Sequence, residues 1–151
     1  MANAQAMCTS FKTEILNGIH ALGTSVVRAG TGADSLKAAL YLASASLGAG
    51  TTAYSATGEV SGTGYTAGGV AVTNATAPTS SGTTAYWTPS ASFTYTTVTL
   101  ATSFDCVLVY NSTQSNKAIS VHTFGAQTIT AGTFSLSMPT NDSTNALIRI
   151  A

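Results

Sequence analysis

"FDCVLVYNSTQSNKAISVHTF", residues 104–124, decides the fold. "CVLVY" is apolar on both faces, the pattern of a central or doubly covered strand. "YNSTQSNKA", residues 110–118, is a cluster of turn-forming residues. "KAISVHTF", residues 117–124, then resumes a β-branched, strand-like run. Two such runs about one turn form a hairpin.

Outward from this hairpin the same grammar repeats. Upstream lie "FTYTTVTLA" (93–101), "TTAYWT" (83–88), "GVAVTNA" (69–75) and "LKAALYLA" (36–43). Downstream lie "QTITAGTFSLS" (127–137) and "ALIRI" (146–150). Phe134, Leu136 and Met138 alternate with Ser135 and Ser137, giving one dry face and one wet. About eight short strands between turn signals predict an antiparallel β-sandwich, jelly-roll-like or immunoglobulin-like. "ATAPTSSGTT", residues 75–84, reads as an exposed loop.

The N-terminal region follows a different period. Residues 1–9 read as a flexible arm. In "SFKTEILNGIHAL", Phe11, Ile15, Ile19 and Leu22 form one helical stripe, with Ser10 as N-cap and Glu14 in the first turn. Gly18 weakens this helix and Gly23 stops it. The expected organisation is an arm and short amphipathic helix over 1–22, followed by a β-sandwich domain over 23–151.

Composition narrows the function. Charged residues make up 7% of the chain, with five Lys and Arg against five Asp and Glu, whereas about 25% is usual. No basic stripe exists to displace counterions from a nucleic acid, and no polybasic run suits an anionic membrane. Polarity comes instead from 27 threonines and 18 serines. A neutral hydroxyl surface favours association. The start "MANAQAMCTSFK" has no apolar core behind a basic end, so synthesis in the cytoplasm is expected. Cys8 and Cys106 form neither a disulfide framework nor a metal spacing, and are expected to be buried free thiols.

One stretch imitates a cofactor motif. Within "YSATGEVSGTGYTAGGVAV", residues 54–72, Gly62-Thr63-Gly64-Tyr65-Thr66-Ala67 resembles a dinucleotide fingerprint. That fingerprint must follow a buried parallel strand and open a helix. Here the next segment is β-branched and runs to Pro78, so no phosphate site is expected. Gly58, Gly62, Gly64, Gly68 and Gly69 are assigned to turns and close backbone approach.

No catalytic, cofactor-binding or metal-binding set emerges from the remaining residues. His20 and His122 lack partners at ligand spacing. Asp105, Cys106 and His122 place a thiol inside an apolar strand, where it is inert. Glu14, Asp34, Glu59, Asp105 and Asp142 are scattered singly, which argues against paired-carboxylate hydrolysis of sugars. Most aromatics are expected in the core. Tyr86 and Trp87 are adjacent and point to opposite faces of a strand, so one of them is a candidate interface anchor alongside Phe11, Ile15, Ile19 and Leu22.

The blocks "SFKTEILNGIHAL", "LKAALYLASASLGAGTTAYSATGEVSGTGYTAGG", "VLVYN", "NKAISVHTFG" and "ALIRIA" resemble a family of small virion structural proteins of tailed bacteriophages, over nearly the whole chain. The resemblance implies a virion location, and the residues themselves point to no enzymatic activity and no cofactor. The expected function is capsid decoration or cementing, with the major capsid protein or further copies of the chain, trimers included, as partners. No nucleic acid and no membrane enter this reading. The alternative within the virion is a tail- or fibre-associated module that recognises the host.

Overall fold

A computed structural model describes residues 2–16, 19–22 and 32–151. Among the described residues the chain is mainly β, with two antiparallel sheets in a sandwich-like arrangement and one short helix near the N-terminus. In chain order the elements are β1 (Ala6–Met7), α1 (Thr9–Leu16), β2 (Leu36–Leu42), β3 (Val70–Ala71), β4 (Thr79–Ser81), β5 (Thr84–Trp87), β6 (Phe93–Asn111), β7 (Lys117–Leu136) and β8 (Ile148–Ile150). The larger sheet runs β1-β7-β6-β2-β3 and the smaller β4-β5-β8.

The hairpin read from residues 104–124 is the spine. β6 and β7 are 19 and 20 residues long. Each absorbs two of the expected strands, because the breaks at Ala101–Ser103 and Gly125–Ala126 are register shifts within the ladder rather than strand ends. The turn is built by Asn111, whose Oδ1 accepts the N–H groups of Thr113 and Gln114, both at 3.1 Å. Ser115 and Asn116 complete it at φ 51° and 58°, in the left-handed region.

The larger sheet's apolar residues include Leu40, Phe104, Leu108, Ile119 and Val121, all fully buried. The smaller sheet adds Trp87 and Ile148, which are register partners, to the same core. β4 lies within the expected exposed loop 75–84 and is exposed along its length. The strand expected over 69–75 shrinks to Val70–Ala71.

Two expectations for the N-terminal region change. The helix spans eight residues, Thr9–Leu16, so Ser10 lies inside it rather than capping it, and Glu14 falls outside its first turn. Ile19 and Leu22 follow the helix in irregular chain. Gly18 and Gly23 lie outside the described residues. The leading residues are also fastened rather than free. Ala6 and Met7 pair with Val121 and Ser120, and Cys8 N–H bonds Ile119 O at 3.0 Å. Asn3 Nδ2 donates to Asp105 Oδ1 at 2.6 Å.

Candidate functional site

Three groupings gather the chain's polar chemistry. The first is the glycine-rich block, which folds around Glu59. The carboxylate accepts Tyr54 O–H at 2.7 Å, Tyr65 O–H at 2.8 Å and Gly68 N–H at 2.7 Å. Tyr54 also stacks on Tyr110 of β6, with centroids 4.8 Å apart. Burial, joined by the bond to Glu59, pushes the Tyr54 hydroxyl up to about 12. At Gly69, φ is +73° and an added Cβ would collide with the Ala38 carbonyl of β2. Gly62 and Gly64 likewise lie against the Thr99 and Thr97 carbonyls of β6. The block therefore runs along the free edge of the sheet, hydrogen-bonded to β2 and to the outer part of β6, with its glycines facing protein carbonyls.

The second grouping joins the N-terminal segment to the hairpin turn. Glu14 Oε1 accepts Lys117 Nζ at 2.6 Å, and Glu14 Oε2 lies 2.7 Å from His20 Nε2. His20 Nδ1 lies 3.0 Å from Asn111 Nδ2, which also donates to Asp34 Oδ2 at 2.8 Å. Asp34 Oδ2 accepts Ala21 N–H at 2.7 Å as well. Burial pushes the Glu14 carboxyl up, but the hydrogen bonds from Lys117 and His20 outweigh it and hold it below the ordinary range. The His20 side chain has 0% exposure and packs edge-on against Phe11. Both carboxylates are taken up by donors, so the arrangement holds chain segments together and offers no free base to a substrate.

The third grouping surrounds His122. Its Nε2 lies 2.8 Å from Ser120 Oγ, and burial lowers its pKa to about 4, so the ring is neutral at physiological pH. It borders an apolar hollow of about 100 Å³ lined by Phe93, Val107, Phe124, Leu136, Met138 and Leu147. That volume lies well below the ~300 Å³ at which ordinary ligand pockets begin, whereas a second, more open hollow at His122, lined also by Gln5, Met7, Pro139, Asn145 and Arg149, measures about 400 Å³.

Asp105, Cys106 and His122 do not form a nucleophilic set. Cys106 is fully buried, and burial, with Asp105 second, pushes its thiol up to about 12. Burial and Glu14 push Cys8 up to about 11. Both thiols are inert in the closed fold. Among the described residues, no group of three or more His, Cys, Asp or Glu is placed to hold a metal ion. Among the same residues, no helix is long and apolar enough to cross a membrane.

The candidate interface residues separate by burial. Phe11 and Trp87 belong to the chain's own core at 0% and 1% exposure, and Trp87 Nε1 donates to Thr76 O at 2.8 Å. Ile15 and Leu22 are partly buried against that core. Ile19 and Tyr86 are half-buried. Sequence reasoning missed the Glu14–His20–Asn111–Asp34 connection. Its long-range bonds join positions 77 to 103 apart, so no local spacing announces it. No family model, curated protein or solved structure matches the chain.

Proposed function

We propose that the chain is a structural protein of a tailed-bacteriophage virion, decorating the capsid where shell subunits meet. One observation carries this reading beyond the sequence resemblance. From Ala118 to Asn141 the chain has no Asp, Glu, Lys or Arg. The outer half of β7 exposes Gln127, Thr128, Thr130, Thr133 and Ser135. Thr94, Thr96, Thr97 and Thr102 of β6 are exposed beside them. Such a surface lets identical copies and shell subunits crowd together without like-charge repulsion. Each contact needs only modest affinity, because a symmetric shell multiplies it.

The aromatics support decoration over host recognition. Tyr41, Trp87, Phe93, Tyr95, Phe104 and Tyr110 are all buried, whereas a recognition face concentrates exposed aromatic anchors. The exposed β4 and the turn that leads from it into β5 are the surface that a tail- or fibre-associated host-binding module would use.

Quantitative mass spectrometry of purified particles tests the reading. Hundreds of copies per particle on the shell are expected, together with earlier DNA release on heating when the chain is absent. A handful at a vertex or tail would transfer the chain to the second reading. Its absence from particles would end both.

A further inference from the structure

We propose that Lys117 and Asn111 join through a side-chain amide, a covalent staple that closes the turn between β6 and β7 with loss of ammonia. Every reacting group belongs to the chain itself, so the inference stands apart from any place in a virion and involves no outside substrate.

The register brings the two side chains together. Asn111 and Lys117 are register partners on β6 and β7. Side chains so opposed share one face of the sheet, with Cβ atoms about 4.5–5.5 Å apart. Both reach the same pair of residues. Lys117 Nζ meets Glu14 Oε1 at 2.6 Å, and Glu14 Oε2 lies 2.7 Å from His20 Nε2. The other ring nitrogen of His20 lies 3.0 Å from Asn111 Nδ2. Asn111 and the His20 side chain have 0% exposure. The Lys117 side chain keeps 35%, which leaves its flexible stem room to turn from Glu14 to the carboxamide.

The surroundings of Asn111 suit acyl transfer. Its Oδ1 faces the backbone N–H groups of Thr113 and Gln114, both at 3.1 Å. Two such donors stabilise the negative charge that gathers on this oxygen as Cγ becomes tetrahedral. Asp34 and His20 hold Nδ2 on the other side. Glu14 is the base in contact with Nζ. It takes a proton from the Lys117 ammonium, and the resulting amine attacks Cγ of Asn111. The Nζ–Cγ bond forms and the Cγ–Nδ2 bond breaks. Glu14 returns its proton to Nδ2, and a second proton given up by Nζ follows, so Nδ2 departs as ammonium. One ammonium enters as Lys117 and one leaves. Charge and atoms balance with no oxidant, metal or second substrate. His20 positions Glu14 and Asn111 and keeps its own proton throughout. Lysine is an ammonium at neutral pH, so the reactive amine is scarce and the staple forms slowly on a newly folded chain.

Mass spectrometry of the folded, full-length chain tests the bond. Purified protein is incubated for several days, sampled, then unfolded and digested with trypsin. The intact mass should fall by one ammonia. Trypsin should fail to cut after Lys117, leaving one fragment from Ala38 to Arg149 that is lighter by the same ammonia. Lys117→Arg keeps the positive charge on Glu14 but lacks the nucleophilic amine, so it should hold its full sequence mass and be cut after position 117. Glu14→Gln keeps the side chain's shape but cannot take the proton, and should slow the ammonia loss about a hundred-fold. Wild-type protein that keeps its full mass overturns the proposal. So does protein that loses ammonia yet is still cut after Lys117, the mark of a ring closed on the Asn111 backbone instead. Both of these readings come from the wild-type chain and do not depend on how well a variant folds. A Glu14→Gln chain that reacts as fast as wild type overturns the role given to Glu14.

Discussion

Asn111 fixes the tautomer of a ring it touches. Its Oδ1 accepts two backbone N–H groups in the hairpin turn, so its Nδ2 is the donor end of the amide. One hydrogen goes to Asp34 and the other to His20 Nδ1. Nδ1 is thereby an acceptor, and the neutral ring carries its proton on Nε2, facing Glu14. Nitrogen NMR of the His20 ring should show this single tautomer in the neutral form. Asn111→Asp replaces the donor with a second carboxylate beside Asp34. The like-charge contact should cost about 3 kcal/mol of stability. Nitrogen NMR of the wild-type ring and denaturant midpoints of the variant check the two outcomes.

At the scale of elements, the glycine-rich block is the sharpest case of sequence becoming geometry. Gly69→Ala puts a methyl against the Ala38 carbonyl at φ +73°, so β3 must part from β2. The expected loss is about 3 kcal/mol, read as a fall in Tm. Gly125→Ala in β7 is the contrast, since the nearest atom to an added Cβ is Gln127 Nε2 at 4.0 Å. It should change stability by less than about 0.5 kcal/mol. The role of these glycines was legible in sequence because positive φ and close approach leave few alternatives. The antiparallel strands were legible for the same reason, through alternation and β-branching. The length of β6 and β7 was not. Ala101–Ser103 and Gly125–Ala126 look like terminators, and only the partner strand shows that they are bulges. The end of α1 was likewise hidden, because Ile19 and Leu22 keep helical spacing while lying in irregular chain.

Across the whole molecule, two buried groups give acid lability in separate windows. His122 titrates near 4 when folded, against an ordinary 6.5. The unfolded chain therefore binds this proton first. Stability falls as pH drops from 6.5 towards 4, by roughly 3 kcal/mol in all at ~1.4 kcal/mol per unit. Glu14 is held below its ordinary value, so its contribution is present above about pH 4.3 and is lost as pH falls through the lowered pKa. Urea midpoints from neutrality to pH 3 should show both limbs. His122→Gln should flatten the upper limb and spare the lower. Neither window could be read from the sequence. The hollow beside His122 is lined by residues as far apart in sequence as 93, 136 and 147, and the Glu14 partnership spans 103 positions.

That same separation has a consequence for the newborn chain. Glu14 leaves the ribosome long before Lys117 is made, and β1 emerges well ahead of the strand it pairs with. At about 5–20 residues per second the gap lasts roughly 5–20 s. Throughout that interval the Phe11 side chain has no finished surface of its own molecule to settle on. The apolar face around Phe11 is therefore an association hazard for most of translation, and the hazard ends only when β7 is complete.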